Sequence, residues 1–328
     1  MKHLFLFLIL ILVQATAANE KLIVRTLSFP VMSTQANLKF YGKDEKELEK
    51  AFQTARSAME DVIRICNIFD PASELARLNT SAAKEPFACS PELWEILNEA
   101  RKFHTLSGGV FDPTVQPLMK IWGFHRKRQS LPLPKEIADA KAICGFSKVK
   151  FDKEKHTVFF TVPGMSLDLG GIAKGWAVDK ASEAVLRNTS IRIGIVDLGG
   201  NIRCFPQPPP GKDHYTVAVK NPKKPGSYVA LAFMLDECAA TSGNYERYVV
   251  IDGKQYTHII DPRTGYPVEG VLSATVITKR GVDSDALSTS VFINGGLEVK
   301  NARILRIDGN GKIMQKIPHG EKEFRLLP

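Results

Sequence analysis

Three short stretches of this chain carry residue types able to do chemistry together. In the run 283–289, Asp285 and Thr289 stand four residues apart, so a helix would place them on one face with Ser288 beside them. A carboxylate and hydroxyls in that array are hard oxygen donors, which Mg2+ takes together with water and substrate phosphates. Asp283 and Ser284 are good helix caps, and capping would leave Asp285 free. The second stretch is 166–175, Ser-Leu-Asp-Leu-Gly-Gly-Ile-Ala-Lys-Gly. A strand, a glycine turn and a helix start would leave backbone N–H groups facing outward as an anion site, with Lys174 adding charge. The string fits neither a Walker loop nor G-x-G-x-x-G, and an ordinary strand-to-helix turn accounts for it equally well. The third, 257–265, puts His258 and Ile260 on one face of a strand that ends in a Pro262/Gly265 turn. A histidine at such a strand end is well placed as a general base. No Ser-His-Asp or Cys-His set, no H-E-x-x-H and no interleaved aromatic-basic pattern of nucleic-acid binders is present.

These groups need a scaffold, and the chain supplies mixed elements. Segments 22–29 and 34–41 read as strands, the second alternating through Ala36, Leu38 and Phe40. Asp44 with Glu47 forms a capping box for a helix with an apolar seam at Leu48, Phe52, Ala55, Met59, Val62, Cys66 and Phe69. Ser90-Pro91 opens another helix that ends at Gly108-Gly109, with His104 as a packed residue on it. A mainly β region follows, with a hairpin across 149–162 and a short strand at 166–169. A helix runs to about 187, a strand covers 191–197, and further strands fall at 215–219, 228–235, 245–251 and 255–260. A last helix spans 283–292, before a hairpin turning at 308–311. Helices and strands mix without regular βα alternation, which predicts an α+β fold with antiparallel or mixed sheets and packed helices.

With 328 residues, 44% apolar and 24% charged, the chain can bury a core without staples, which excludes disordered and disulfide-scaffold classes. The net charge of +9 favours anionic partners without requiring nucleic acid. Residues 1–18 predict a secretory signal peptide: Lys2 and His3, an apolar run from 4 to 13, then Ala15-Thr16-Ala17. That run is too short for a spanning helix, and no cysteine follows it to carry a lipid. The expected mature protein, 19–328, is therefore exported, soluble and periplasmic. It is treated as one functional domain, of two intertwined parts at most. Cys66, Cys89, Cys144, Cys204 and Cys238 form no C-x-x-C, and most read as buried structural thiols.

Taken in order, six strings resemble the ApbE family of FAD:protein FMN transferases over nearly the whole mature chain. They are 108–115, 168–175, 197–201, 240–243, 258–265 and 285–289. The resemblance implies a T-fold-like two-part architecture and a Mg2+-dependent phosphoryl transfer. FMN would pass from FAD to a Thr or Ser hydroxyl of a target flavoprotein, releasing AMP. The target would be a subunit of a membrane redox complex. It further implies that Asp285 and Thr289, with the carbonyl of Gly171 and possible help from Ser288, hold the metal. Met32, Phe69, Val110, Phe111, Asp112, Asp168, Lys174 and Ile260 would contact the flavin nucleotide, and His258 would be the base. Many relatives carry Asp where Ser288 stands, and often Gly where Ser33 stands. Two other readings use the same site: hydrolysis of FAD to FMN and AMP, or FAD binding without turnover.

Overall fold

The computed structural model describes residues 22–126 and 128–328, so the expected leader lies outside the described residues. Eight strands form the main sheet in strict chain order: β1 (Ile23–Val31), β2 (Thr34–Gly42), β3 (Ile193–Leu198), β4 (Asn201–Cys204), β5 (Glu237–Gly243), β6 (Val271–Thr278), β7 (Arg303–Asp308) and β8 (Ile313–Lys316). Every neighbouring pair is antiparallel. The fold is therefore α+β on an antiparallel sheet, as the pattern of elements predicts.

The first hairpin turns through Met32 and Ser33, both at positive φ (50° and 58°), between the paired Val31 and Thr34. Two left-handed residues match the twist of the flanking strands, the geometry in which glycine is ordinarily preferred. The alternation in β2 is realised: Ala36, Leu38 and Phe40 are fully buried.

Between β2 and β3 run, among the described residues, six α-helices: α1 (Glu45–Cys66), α2 (Glu74–Ser81), α3 (Pro91–Leu106), α4 (Gln116–Ile121), α5 (Pro134–Ala142) and α6 (Ala173–Asn188). Asp44 caps α1 by accepting from the Glu47 amide at 2.8 Å, but the Glu47 carboxylate turns to Ser190, so the capping box is half formed. The apolar seam of α1 is buried as far as Cys66. Phe69 departs from it: the helix has ended, Asn67 Oδ1 accepts from the Phe69 amide, and the residue is 61% exposed.

The final helix, α7 (Gly281–Ile293), crosses from β6 to β7. It is nearly all buried, including Ser284, Ser288 and Ser290. Their hydroxyls donate back to carbonyls of their own helix, which satisfies them without water.

Helices α1, α6 and α7 cover one face of the sheet. Side-chain alternation sends Ala239, Ile277, Leu305 and Ile307 to the opposite face, where a three-stranded sheet (Tyr215–Lys220, Tyr228–Met234, Arg325–Leu326) packs with Ala232 and Met234. A third apolar cluster joins α4 and α5 to Ile260.

One expected strand is absent. Residues 166–169 are extended but unladdered, because their partners are side chain and loop. The Asn79 amide group donates to the Leu167 carbonyl at 2.9 Å and accepts from its N–H at 2.8 Å, and the Asp168 amide donates to Pro113 O. All five cysteines are free, and all but Cys89 are buried. Among the described residues no helix is long and apolar enough to cross a membrane.

Candidate active site

The three chemical stretches converge on one cavity of about 550 Å3, within the size range of small-molecule sites. The β1–β2 turn gives Met32, and the β3–β4 turn gives Gly199. The segment after α1 gives Phe69, and the loop before α4 gives Val110, Phe111 and Asp112. Gly171 and Lys174 come from the start of α6, Asp285 and Thr289 from α7, and His258 and Ile260 from the opposite wall. Asp168 completes the set, so of the residues singled out from sequence only Ser288 lies off the wall.

Ser288 is fully buried one side of Asp285. Its hydroxyl donates to the Asp285 carbonyl at 2.9 Å and meets Ser242 Oγ at 2.9 Å. At about 100° per residue, Thr289 falls on one flank of Asp285 and Ser288 on the other, and the cavity opens on the Thr289 flank. Ser242, on β5, lines the cavity in its place and sits 3.3 Å from Thr289 Oγ1.

Close helix approach sets the Asp285 carboxylate. Gly175 of α6 and Gly281 of α7 meet so tightly that a Cβ on Gly175 would lie 2.1 Å from the Gly281 carbonyl oxygen. That contact lets the Gly175 amide donate to Asp285 Oδ2 at 2.9 Å. The Gly171 carbonyl, one turn earlier, is left without that donor. Gly171 itself is wedged between the Phe111 ring and Thr289 Oγ1, each 3.3 Å from where a Cβ would stand. Asp285 Oδ1 faces Lys174 Nζ at 3.8 Å. A carboxylate, a hydroxyl and a free carbonyl are thus gathered as hard oxygen donors. Among the described residues no cluster of three or more His, Cys, Asp or Glu could hold a metal, so a cation here would need substrate oxygens or water as well.

Only part of the expected cradle of free amides is open. Gly170 N donates to Asp168 Oδ1 at 2.7 Å, Ile172 N and Ala173 N donate to Leu169 O, and Gly175 N is taken by Asp285. Those four amides are satisfied within the protein, whereas Gly171 N and Lys174 N donate to none of these acceptors, and Lys174 adds a positive group beside them.

His258 is held as a neutral imidazole with one ring nitrogen committed to the backbone. Its Nδ1 lies 2.9 Å from the Arg247 carbonyl, which can only accept, so Nδ1 carries the proton and Nε2 keeps its lone pair. Burial pushes its pKa down to about 4, against a backbone hydrogen bond that raises it, and the charges of Lys174 and Arg247 push it further down. The ring is therefore neutral at physiological pH. The chain bends at His258 instead of continuing the Lys254–Thr257 strand, and Ile260 pairs with Pro267 in a separate two-residue ladder.

Asp112 is largely committed to structure: Oδ1 accepts from the Thr114 amide and hydroxyl, and Oδ2 from the Phe146 amide at 3.3 Å. Phe69 offers an exposed ring at the cavity rim, edge-on to His125 with centroids 5.1 Å apart. Sequence reasoning missed Arg247 and gave Ser242 no role. Arg247 acts on His258 through a backbone carbonyl, which no side-chain pattern reveals, whereas Ser242 lay within a noted string.

Comparison with known proteins follows this geometry. The ApbE family description matches residues 32–306. The FAD:protein FMN transferase of Haemophilus influenzae is 30% identical over 85% of this chain and 83% of its own length, and that of Vibrio cholerae 31% over 91% and 89%. A crystal structure of the Thermotoga maritima ApbE protein superposes with a TM-score of 0.83 at 29% identity, covering 90% of this chain and 97% of that one. The Vibrio cholerae flavin transferase ApbE gives 0.79 at 28% identity, covering 91% and 98%. With the family description spanning residues 32–306 and these relatives matching most of its length, the chain belongs to the ApbE family.

Proposed function

We propose that this protein transfers the FMN moiety of FAD to a Ser or Thr hydroxyl of an acceptor protein, releasing AMP, in a Mg2+-dependent reaction. The observation that carries the reading is the pairing of a neutral imidazole, with Nε2 free, and an Asp285–Thr289–Lys174 group in one cavity. Phosphoryl transfer asks for a base to receive the hydroxyl proton and for charge neutralisation on the phosphates, with little covalent work by the protein.

The acceptor oxygen attacks the FMN-side phosphorus. The bond from that phosphorus to the bridging oxygen breaks, AMP leaves with the bridging oxygen, and the hydroxyl proton goes to His258 Nε2. Lys174 supplies one positive charge to the pyrophosphate. Asp285, Thr289 and the Gly171 carbonyl would hold Mg2+, whose contribution is neutralising phosphate charge. In this reading the Asp285 carboxylate, whose Oδ1 lies 3.8 Å from Lys174 Nζ, would serve both the metal and the lysine. Phe69, Met32 and Phe111 give aromatic and apolar surface for the flavin nucleotide, beside Asp168. Residues 1–18 would direct export, making the protein soluble and periplasmic and its acceptor a subunit of a membrane redox complex.

The test is incubation of residues 19–328 with FAD, Mg2+ and a candidate acceptor domain, followed by acid precipitation. Flavin that stays with the denatured acceptor, located by mass spectrometry, supports the proposal. An acceptor without flavin under any divalent metal refutes it, and free FMN plus AMP made without an acceptor would instead favour hydrolysis.

A further inference from the structure

We propose that Asp179 is a positioning residue: from α6 it clamps the first turn of α7 and so sets the Asp285–Thr289 array against the turn at Gly171. Asp283 and Ser284 are the cap candidates by sequence, yet the residue at the cap of α7 is Arg280, with no side-chain cap bond of its own. The cap comes from another helix. Asp179 Oδ1 accepts from the Gly281 amide at 2.6 Å, and Oδ2 accepts from the Val282 amide at 2.8 Å. A carboxylate on the first amides of a helix satisfies two orphan donors and complements the helix dipole.

The arrangement is reciprocal. One turn into α7, Asp285 Oδ2 accepts from the Gly175 amide of α6 at 2.9 Å, so each helix lends a carboxylate to the other's backbone. Gly175 and Gly281 lie between the two bonds and permit the approach. Two charge-assisted contacts flanking a steric stop fix both spacing and register between the helices. That register decides where Asp285 and Thr289 stand relative to the Gly171 carbonyl.

A buried group supports Asp179 from behind. Cys238 Sγ lies 3.7 Å from Asp179 Oδ1, and Arg203 Nη1 lies 3.6 Å from Cys238 Sγ and 2.7 Å from the Lys279 carbonyl. The Arg203 charge thus stands near a carboxylate that burial strongly penalises. A half-buried carboxylate kept at that cost, outside the cavity and between the two helices that carry the site, is better explained by positioning than by bulk stability.

What the array holds rests on the transferase reading; the clamp itself does not. The experiment compares wild type, Asp179→Asn and Asp179→Ala by two measurements. The first is amide hydrogen exchange at Gly281 and Val282. The second is the Mg2+ concentration that gives half-maximal FAD retention, followed by flavin fluorescence anisotropy. Asp179→Ala is expected to lose protection at both amides and to need about 10-fold more Mg2+ or beyond, the usual effect of losing a group that orients a metal ligand. Asp179→Asn, with one acceptor instead of two, is expected to fall between. Should Asp179→Ala fail to fold, Asp179→Asn decides alone. Wild-type exchange protection together with an unchanged Mg2+ requirement in Asp179→Asn overturns the proposal. If wild-type FAD retention ignores Mg2+, the metal reading fails and the exchange measurement still decides the clamp.

Discussion

Replacing Gly175 with alanine sets two physical effects against each other. Alanine is the better helix former by about 1 kcal/mol, so propensity alone predicts that Gly175→Ala stabilises α6. Geometry predicts the reverse. The new methyl would lie 2.1 Å from the Gly281 carbonyl oxygen, 2.6 Å from its carbon and 2.7 Å from Asp285 Cβ, whereas ordinary contact begins near 3.4 Å. Two of these three atoms are backbone, so no rotamer change relieves the clash and the helices must part by more than 1 Å. Parting them stretches the 2.9 Å bond from Gly175 N to Asp285 Oδ2 beyond hydrogen-bond range. Losing a charge-assisted bond costs about 1.5–3 kcal/mol, and overpacking adds about 1–3 kcal/mol. Less the propensity gain, the net loss is about 1.5–5 kcal/mol, a large share of the roughly 5–15 kcal/mol that holds a typical protein folded. Equilibrium urea unfolding reads it as a lower midpoint at unchanged slope. A midpoint equal to or above wild type would refute the close-approach argument and leave propensity in charge.

Two other substitutions address the chemistry. His258→Gln should abolish flavin transfer while FAD retention stays within a few-fold. In the wild type, the pKa near 4 places the acid limb of the rate profile near pH 4, with the base neutral and active above it; a limb at the ordinary histidine value near 6.5 would contradict the burial argument. Ser288→Ala should cost about 1 kcal/mol of stability in unfolding experiments and leave the Mg2+ requirement unchanged, since that hydroxyl is taken by Asp285 O and Ser242 Oγ and does not itself line the cavity. A sharply raised Mg2+ requirement in this variant would return Ser288 to the metal.

How much of this was legible depended on where each residue finds its partner. The β2 alternation and the α1 seam were readable because burial repeats with the period of the element itself. The 166–169 segment was misread because its backbone is satisfied by the Asn79 side chain, 88 residues from Leu167, and no local pattern records that. The cap of α7 was missed for the same reason, since Asp179 reaches it from 102 residues away. Ser288 illustrates a subtler limit. Spacing put three oxygens near one face, but only the position of β5 and Ser242 decides which flank of Asp285 meets the cavity. The site's residue types were visible in their strings, whereas its geometry was made by tertiary contacts.

The charge around the cavity leads to a further test. Among the described lining residues, Asp112, Asp168, Glu246 and Asp285 face only Lys174 and Arg247 as full cations, while His258 is neutral. The basic surplus of the whole chain is therefore not concentrated here, and a pyrophosphate would enter a cavity whose formal charge is already negative. A divalent cation would offset that negative charge locally. At an effective dielectric of 20, one unit-charge pair 4 Å apart is worth about 4 kcal/mol before desolvation, so removing the cation should weaken FAD binding by at least about tenfold. Anisotropy titrations of FAD with excess EDTA and with millimolar Mg2+ measure the difference, and Asp285→Asn should reduce the response to Mg2+. Affinity that stays within twofold when the metal is removed would show that the protein's own cations carry the pyrophosphate, and the oxygen array of α7 would need another purpose.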